Sequence, residues 1–288
     1  MVSGIDVVSA IINGILVGSI YSLVAMGLAL IWGVMDVINF AHGDYMMLGG
    51  FIAYALYLAG LDPLVAVPLA FAAIFLMGVA TQRLVINPVL DAPLVSQIAA
   101  TFALLLMIRY GAEAAFGPYT RLVKVPYAET IHLGGTTIFV PQLIGFAFSI
   151  FVALLLYLFL TRTYVGIALQ ATSQNREAAQ LLGINVKRMY DLAFGIGVGI
   201  AAIAGVLLTT FYPLFPEEGG FFTLLAFIIV VLGGFGSVFG SYIGGLIIGV
   251  VETVSALFIT PSLKDVVAFI IFIVMIMVRP TGLFGKKE

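Results

Sequence analysis

The sequence predicts an all-α, polytopic membrane protein with eight or nine transmembrane helices in one domain, residues 1–288. Two observations carry this. Of its 288 residues, 62% are hydrophobic and only 9% charged, with a mean hydropathy of +1.21, whereas a soluble domain is about a quarter charged. The apolar residues also fall in long continuous runs, near the ~20 residues a helix needs to cross a bilayer. They do not show the alternation of a membrane β-barrel. The chain has no cysteine and two histidines, so no disulfide, thiolate site or conventional zinc site is expected. A net charge of -2 gives no basic field for nucleic acid. No cofactor and no catalytic residue are expected.

The first run, at about 8–32, follows MVSGIDVVSA. That stretch lacks a basic n-region, so the run is expected to remain in the mature chain. Gly14 and Gly18 give it a groove for close helix packing. The second run, about 45–60, is entered through VINFAHGDYMMLGG, 37–50. Seven more follow at about 63–80, 94–112, 140–160, 189–212, 221–235, 238–259 and 264–278. Only GGFGS separates 221–235 from 238–259, and one broken element there reduces the count to eight.

With nine spans and the N-terminus outside, the inner segments hold Arg83, Arg162, Arg176, Lys187, Arg188, Arg279, Lys286 and Lys287. The outer ones hold Arg109, Arg121, Lys124 and Lys264. That bias favours N-out, C-in. Residues 113–139 mix charge, proline and β-branched residues and read as an external loop with a short hairpin. Residues 161–188 are Gln/Ala/Leu-rich and basic, and predict one or two short cytoplasmic helices.

Several polar groups interrupt this apolar chain. Asn39, His42 and Asp44 allow three readings. The segment is a turn in which Asp44 caps the next helix and Gly43 takes a positive φ. Or the helix breaks inside the membrane beside a wet path. Or His42 couples protons. The stretch 225–249 repeats the design, with an apolar run, a Gly/Ser break and a small-residue helix. Paired breaks of this kind point to an inverted repeat and a central pathway. Asn39, His42, Asp44, Gly233, Gly234, Gly236, Ser237 and Gly240 are the pathway candidates. Gly236, Gly240 and Gly244 serve helix packing equally well. Glu252 is the one carboxylate inside a late span, either lining the path or hydrogen-bonded near the outer mouth. Glu217 and Glu218 read as an acidic external turn.

In REAAQLLGINVKR, 176–188, Glu177 sits in a first helical turn and Gly183 is a C-cap. Ala178, Ala179, Leu181 and Leu182 form an apolar side, for a partner's groove or a lipid surface. Glu177-Ala178-Ala179 with Gly183 resembles the EAA loop of ABC importer permeases, although Ala193 stands where that pattern has isoleucine. GLALIWGVMDVINFAHGDYMMLGG (27–50), LLGINVKRMYDLAFGIGVGIAAIAGVL (181–207), VVLGGFGSVFGSYIGGLIIGVVE (230–252) and RPTGLFG (279–285) resemble, in order, the LivH-type permeases of branched-chain amino acid ABC importers.

The resemblance implies a multi-pass permease subunit of a prokaryotic inner membrane. It implies import of branched-chain or other small neutral amino acids. The implied partners are two ATPase subunits, a second homologous permease, an external solute-binding protein and the lipid bilayer. Arg176, Glu177, Ala178, Ala179 and Gly183 are then the ATPase-coupling residues. The chain has no G-x-x-x-x-G-K-[ST] loop to cradle ATP, so hydrolysis is expected on partners. Alternatives are a permease for urea or short amides, and an ion-coupled secondary transporter. The latter needs several buried carboxylates, and within the spans only Glu252 qualifies.

Overall fold

The computed structural model describes residues 3–133, 135–260, 263–279 and 281–285. Helix α1 (Gly4–Met35) begins at a reciprocal cap, in which the Ser3 hydroxyl accepts from Asp6 N and the Asp6 carboxylate accepts from Ser3 N. It ends at Asp36, whose φ of 55 is the only positive one on a non-glycine among the described residues. Helix α2 (His42–Leu58) follows. Asp62 then caps a 3-10 turn (Pro63–Val65) that leads into α3 (Ala66–Thr81), a π turn (Gln82–Ile86) and the short α4 (Asn87–Val89). Helix α5 (Leu94–Phe116) precedes an antiparallel hairpin of β1 (Thr130–Leu133) and β2 (Thr136–Phe139). Then come α6 (Val140–Arg162), α7 (Tyr164–Gln174), α8 (Arg176–Leu181) and α9 (Val186–Thr209). The chain closes with α10 (Glu218–Gly233), α11 (Val238–Ser255) and α12 (Lys264–Val278).

Six stretches are long and apolar enough to cross a membrane: α1, Pro63–Val89, α5, α6, α9 and α11. Helix α10 and Val266–Val278 are shorter apolar helices. The protein is thus all-α and polytopic. Three of the expected runs differ from the reading of full spans. The runs at 45–60, 221–235 and 264–278 are helices of 17, 16 and 15 residues, the first two entered from a break. The run at 238–259 is separate from its predecessor, joined through residues 234–237.

Helices α1 and α9 form the centre. Residues 18–31 and 197–209 are buried throughout, which suits helices apolar on every face. Glycines let their neighbours approach. Gly14 and Gly18 meet Gly249 and Gly245 of α11, and Gly27 meets Gly197 of α9. A Cβ at these positions would strike backbone, so the α1 groove works as its small-residue spacing predicts.

The bundle has two ends. At one, Thr253 Oγ1 donates to Ala10 O and Asn13 Nδ2 to Thr137 O. There the loop carrying Arg121 pairs with Leu214, and Tyr127 donates to Asp62. Burial first, then the Asp62 carboxylate, raises the Tyr127 phenol above its usual pKa, so it stays a donor. The other end holds α7, α8 and the Arg83–Asp191 ion pair. The tail also returns there, Leu283 N donating to Leu232 O and Phe284 N to Gly233 O.

Candidate functional site

After α1 the chain does not continue away from the bundle. It turns back through residues 36–41, and α2 starts deep inside. His42 Nε2 lies 2.9 Å from Val24 O. A carbonyl only accepts, so that nitrogen carries the proton. Val24 lies about 16 Å of helical rise before the C-terminus of α1. The break is held by polar contacts. Asn39 Oδ1 accepts from Ala41 N at 3.1 Å, and Thr101 Oγ1 of α5 donates to Ile38 O at 3.0 Å.

Helix α10 meets α2 at the same place. Gly43 N donates to Thr223 Oγ1 at 2.8 Å, and that hydroxyl lies 3.2 Å from Phe40 O and 3.0 Å from Gly219 O. Gly219 lies on Asp44, where a Cβ would come within 2.7 Å of the Asp44 Cα. A Cβ on Gly43 would strike the Gly219 carbonyl. The N-termini of two broken helices therefore abut, backbone against backbone. Arg109 of α5 reaches in, its Nε donating to Asp44 Oδ1 at 3.2 Å. Asn39, His42 and Asp44 are fully buried, and Glu218 nearly so. Asn39 Nδ2, His42 Nδ1, Asp44 Oδ2 and Arg109 Nη2 are buried without a hydrogen-bond partner among the described residues.

Four expectations change here. Asp44 caps nothing: α2 starts at His42, and its N-cap, Ala41, has no side-chain hydrogen bond. Gly43 has no positive φ; glycine is needed because α10 comes so close. Glu218 is not part of a solvated turn but is buried at the start of α10, while Glu217 stays exposed. Arg109 is not an outer-loop charge. Its place within α5 could have been suspected, because a lone arginine in the run TFALLLMIRYG implies a buried partner.

The second break sits elsewhere. Gly233, Gly234, Gly236, Ser237 and Gly240 lie at the α7–α8 end of the bundle. Gly236 (φ +72) touches Gly33, Gly234 (φ +108) touches Gly285, and Gly233 packs on Gly240. Ser237 Oγ accepts from Gly240 N at 3.0 Å, capping α11. Gly236 and Ser237 also line a cavity of about 830 Å³ with Met26, Tyr157, Gln170 and Tyr242. Glu252 is buried beside Phe221, Leu225 and Ala268, with α12 over it. The structure thus joins Asn39, His42 and Asp44 with Arg109 and the first turns of α10, and places 233–240 at the α7–α8 end.

Residues 164–181 form the two short helices expected. Asn175 Oδ1 accepts from Ala178 N at 2.9 Å, capping α8. At its other end Gly183 N bonds Gln180 O and Ile184 N bonds Ala179 O, with Gly183 at φ +83. This is a Schellman closure, as the sequence predicts. Ala179 alone faces inward, while Leu181 and Leu182 are 89% and 80% exposed. Arg176 and Glu177 border a second cavity, of about 520 Å³, with Asp36, Gln97, Asn175 and Tyr190.

Known proteins resemble this chain over nearly its whole length. Residues 10–276 match the family described as branched-chain amino acid transport system / permease component. The chain belongs to the branched-chain amino acid permease family. It is 32% identical, over 96% of its length and 94% of the relative's, to the high-affinity branched-chain amino acid transport system permease protein LivH of Escherichia coli. It is 34% identical over 96% of its length and 95% of the relative's to BraD of Pseudomonas aeruginosa, which bears the same description. A solved structure, PsaBC from Streptococcus pneumoniae in complex with Fab, superposes with a TM-score of 0.52 at 12% identity. It covers 94% of this chain and 92% of that one, and bears on the fold alone. The permease is a multi-pass membrane subunit of an ABC transport system and not itself catalytic. Family membership sets aside the ion-coupled secondary transporter.

Proposed function

We propose that this permease carries branched-chain or similarly small neutral amino acids inward past the junction of α2 and α10. The single observation behind this reading is the meeting of two broken-helix N-termini around Asp44. Interrupted helices in the middle of a bundle are the usual frame of a solute site. Buried polar groups there are costly unless function retains them.

An inverted repeat is the second element of the proposal. The packing of α1 on α11 is mirrored by α9 on α3, and that of α1 on α10 by α9 on α2. Likewise α2 on α5 is mirrored by α10 on α12. The set α1, α2, α3, α5 therefore corresponds to α9, α10, α11, α12, and the 36–41 break to residues 210–217. The end holding Arg83, Arg162, Arg176, Lys187, Arg188 and Arg279 is taken as cytoplasmic. Moving Arg109 into the bundle strengthens that bias. Residues 113–139 are then external and 161–188 cytoplasmic.

Helix α8 is the coupling element. Its exposed Leu181 and Leu182, rigid cap and flanking Arg176 and Glu177 suit a cleft on an ATPase subunit. Two ATPases, a second related permease and an external binding protein complete the transporter. The test is co-expression with these partners and reconstitution in proteoliposomes. Leucine uptake should require ATP, the ATPases and this chain together. Purification of the chain alone as a stable, transport-competent unit overturns the proposal.

A further inference from the structure

We infer that Asp44 and Arg109 form a subsite that reads the two charges of a zwitterionic amino acid: the α-ammonium on Asp44, the α-carboxylate on Arg109. The inference rests on the reading that the α2–α10 junction borders the solute path.

The ion pair is incomplete as it stands. Arg109 and Asp44 share one bond of 3.2 Å from Nε, where a guanidinium and a carboxylate can make two parallel ones. Among the described residues, Asp44 Oδ2 and Arg109 Nη2 are both buried and without a hydrogen-bond partner. A pair kept only for stability loses by leaving such capacity unfilled, because buried unpaired polar atoms are expensive. A zwitterion fills it. Its ammonium donates to the carboxylate oxygens and its carboxylate accepts from the guanidinium. One ion pair becomes two, and the net charge of the buried centre is unchanged.

The surroundings suit this exchange. Gly219 lies against Asp44 and Gly220 against Arg109, where a Cβ on Gly220 would come within 2.8 Å of Arg109 Nη2. Bare backbone therefore faces both charges, leaving room as soon as α2 and α10 part. The N-termini of both helices direct positive partial charge at the place where a carboxylate would sit. Arg109 is 20% exposed while Asp44 is not exposed at all, so the guanidinium is the more accessible of the two charges. Asn39 Nδ2 is a further unfilled donor beside the break.

The test uses the assembled transporter. The chain has no cysteine, so an Asn39→Cys variant carries a single reporter in this subunit. During ATP turnover that cysteine should react with a hydrophilic methanethiosulfonate, and leucine should protect it. With Asp44→Leu/Arg109→Met added, the leucine concentration for half protection should rise about tenfold or more, the loss of one charge-assisted hydrogen bond at least. Asp44→Asn, which keeps the shape, should do the same if the double variant fails to assemble. Labelling with unchanged protection in these variants overturns the zwitterion subsite and leaves the path reading standing. A cysteine at 39 that is unreactive in every state overturns both.

Discussion

Replacing Gly43 and Gly111 by alanine, one at a time, should move stability in opposite directions. Both lie inside helices, where alanine is intrinsically favoured over glycine by about 0.5–1 kcal/mol. At Gly111 nothing lies within 4 Å of the added Cβ, so that gain is realised. At Gly43 the Cβ would overlap the Gly219 carbonyl and come within 2.6 Å of Thr223 N and 2.7 Å of Thr223 Oγ1. Those are mostly backbone atoms of α10, which do not rotate away as a side chain can, so the two helices are forced apart. Overpacking of this kind costs about 1–3 kcal/mol, so the net change is a loss of up to about 2 kcal/mol. Thermal unfolding of the detergent-purified transporter, followed by intrinsic fluorescence, reads both signs. Gly111→Ala should raise the midpoint and keep leucine uptake; Gly43→Ala should lower the midpoint and impair uptake. A Gly43→Ala protein as stable as Gly111→Ala would refute the close contact of α2 and α10.

Other expectations follow from the second region. Gly183→Ala meets no steric obstacle but must hold φ near +83, a strain of about 1–2 kcal/mol for an L-residue. It should loosen the end of α8 and lower uptake per ATP hydrolysed, with Gly183→Asn milder. Leu181→Asp and Leu182→Asp alter only exposed side chains, so the subunit's own thermal midpoint should hold while pull-down of the ATPase subunits falls. Removing residues 281–288 frees the Leu232 and Gly233 carbonyls that now accept from Leu283 and Phe284. The expected loss is about 1–2 kcal/mol, read as earlier unfolding.

The parts legible in the sequence were those set by neighbours in the chain. Long apolar runs gave the spans. The first turn at Glu177 and the closure at Gly183 depend on residues a few positions apart, so α8 could be drawn in advance; its cap at Asn175 came from the structure. Asn39, His42 and Asp44 stood out because polar groups near lipid are rare, but their local pattern also fits an ordinary helix start. Only contacts with Arg109, Gly219 and Thr223, far along the chain, distinguish a buried junction from a surface turn. Gly43 was misjudged for the same reason: a glycine needed for close approach looks the same in sequence as one needed for φ. Arg109 was counted with the outer charges because it stands in the last turn of the run at 94–112, and only the contact with Asp44 places it inside the bundle. The correspondence proposed between the break at 36–41 and residues 210–217 was also hidden, since the glycine-rich stretch at 233–240 is the more conspicuous interruption.

The most direct test of the pathway is side-by-side labelling of Asn39→Cys and Ser237→Cys in the working transporter. Asn39 lies at the α2–α10 junction, and Ser237 lines the large cavity between α1, α6 and α11. The account predicts that cysteine 39 reacts with a hydrophilic thiol reagent only during turnover, with leucine slowing the reaction, while leucine leaves cysteine 237 unaffected. Leucine protection at 237 together with an inert cysteine at 39 would contradict it, and would move the path to that cavity.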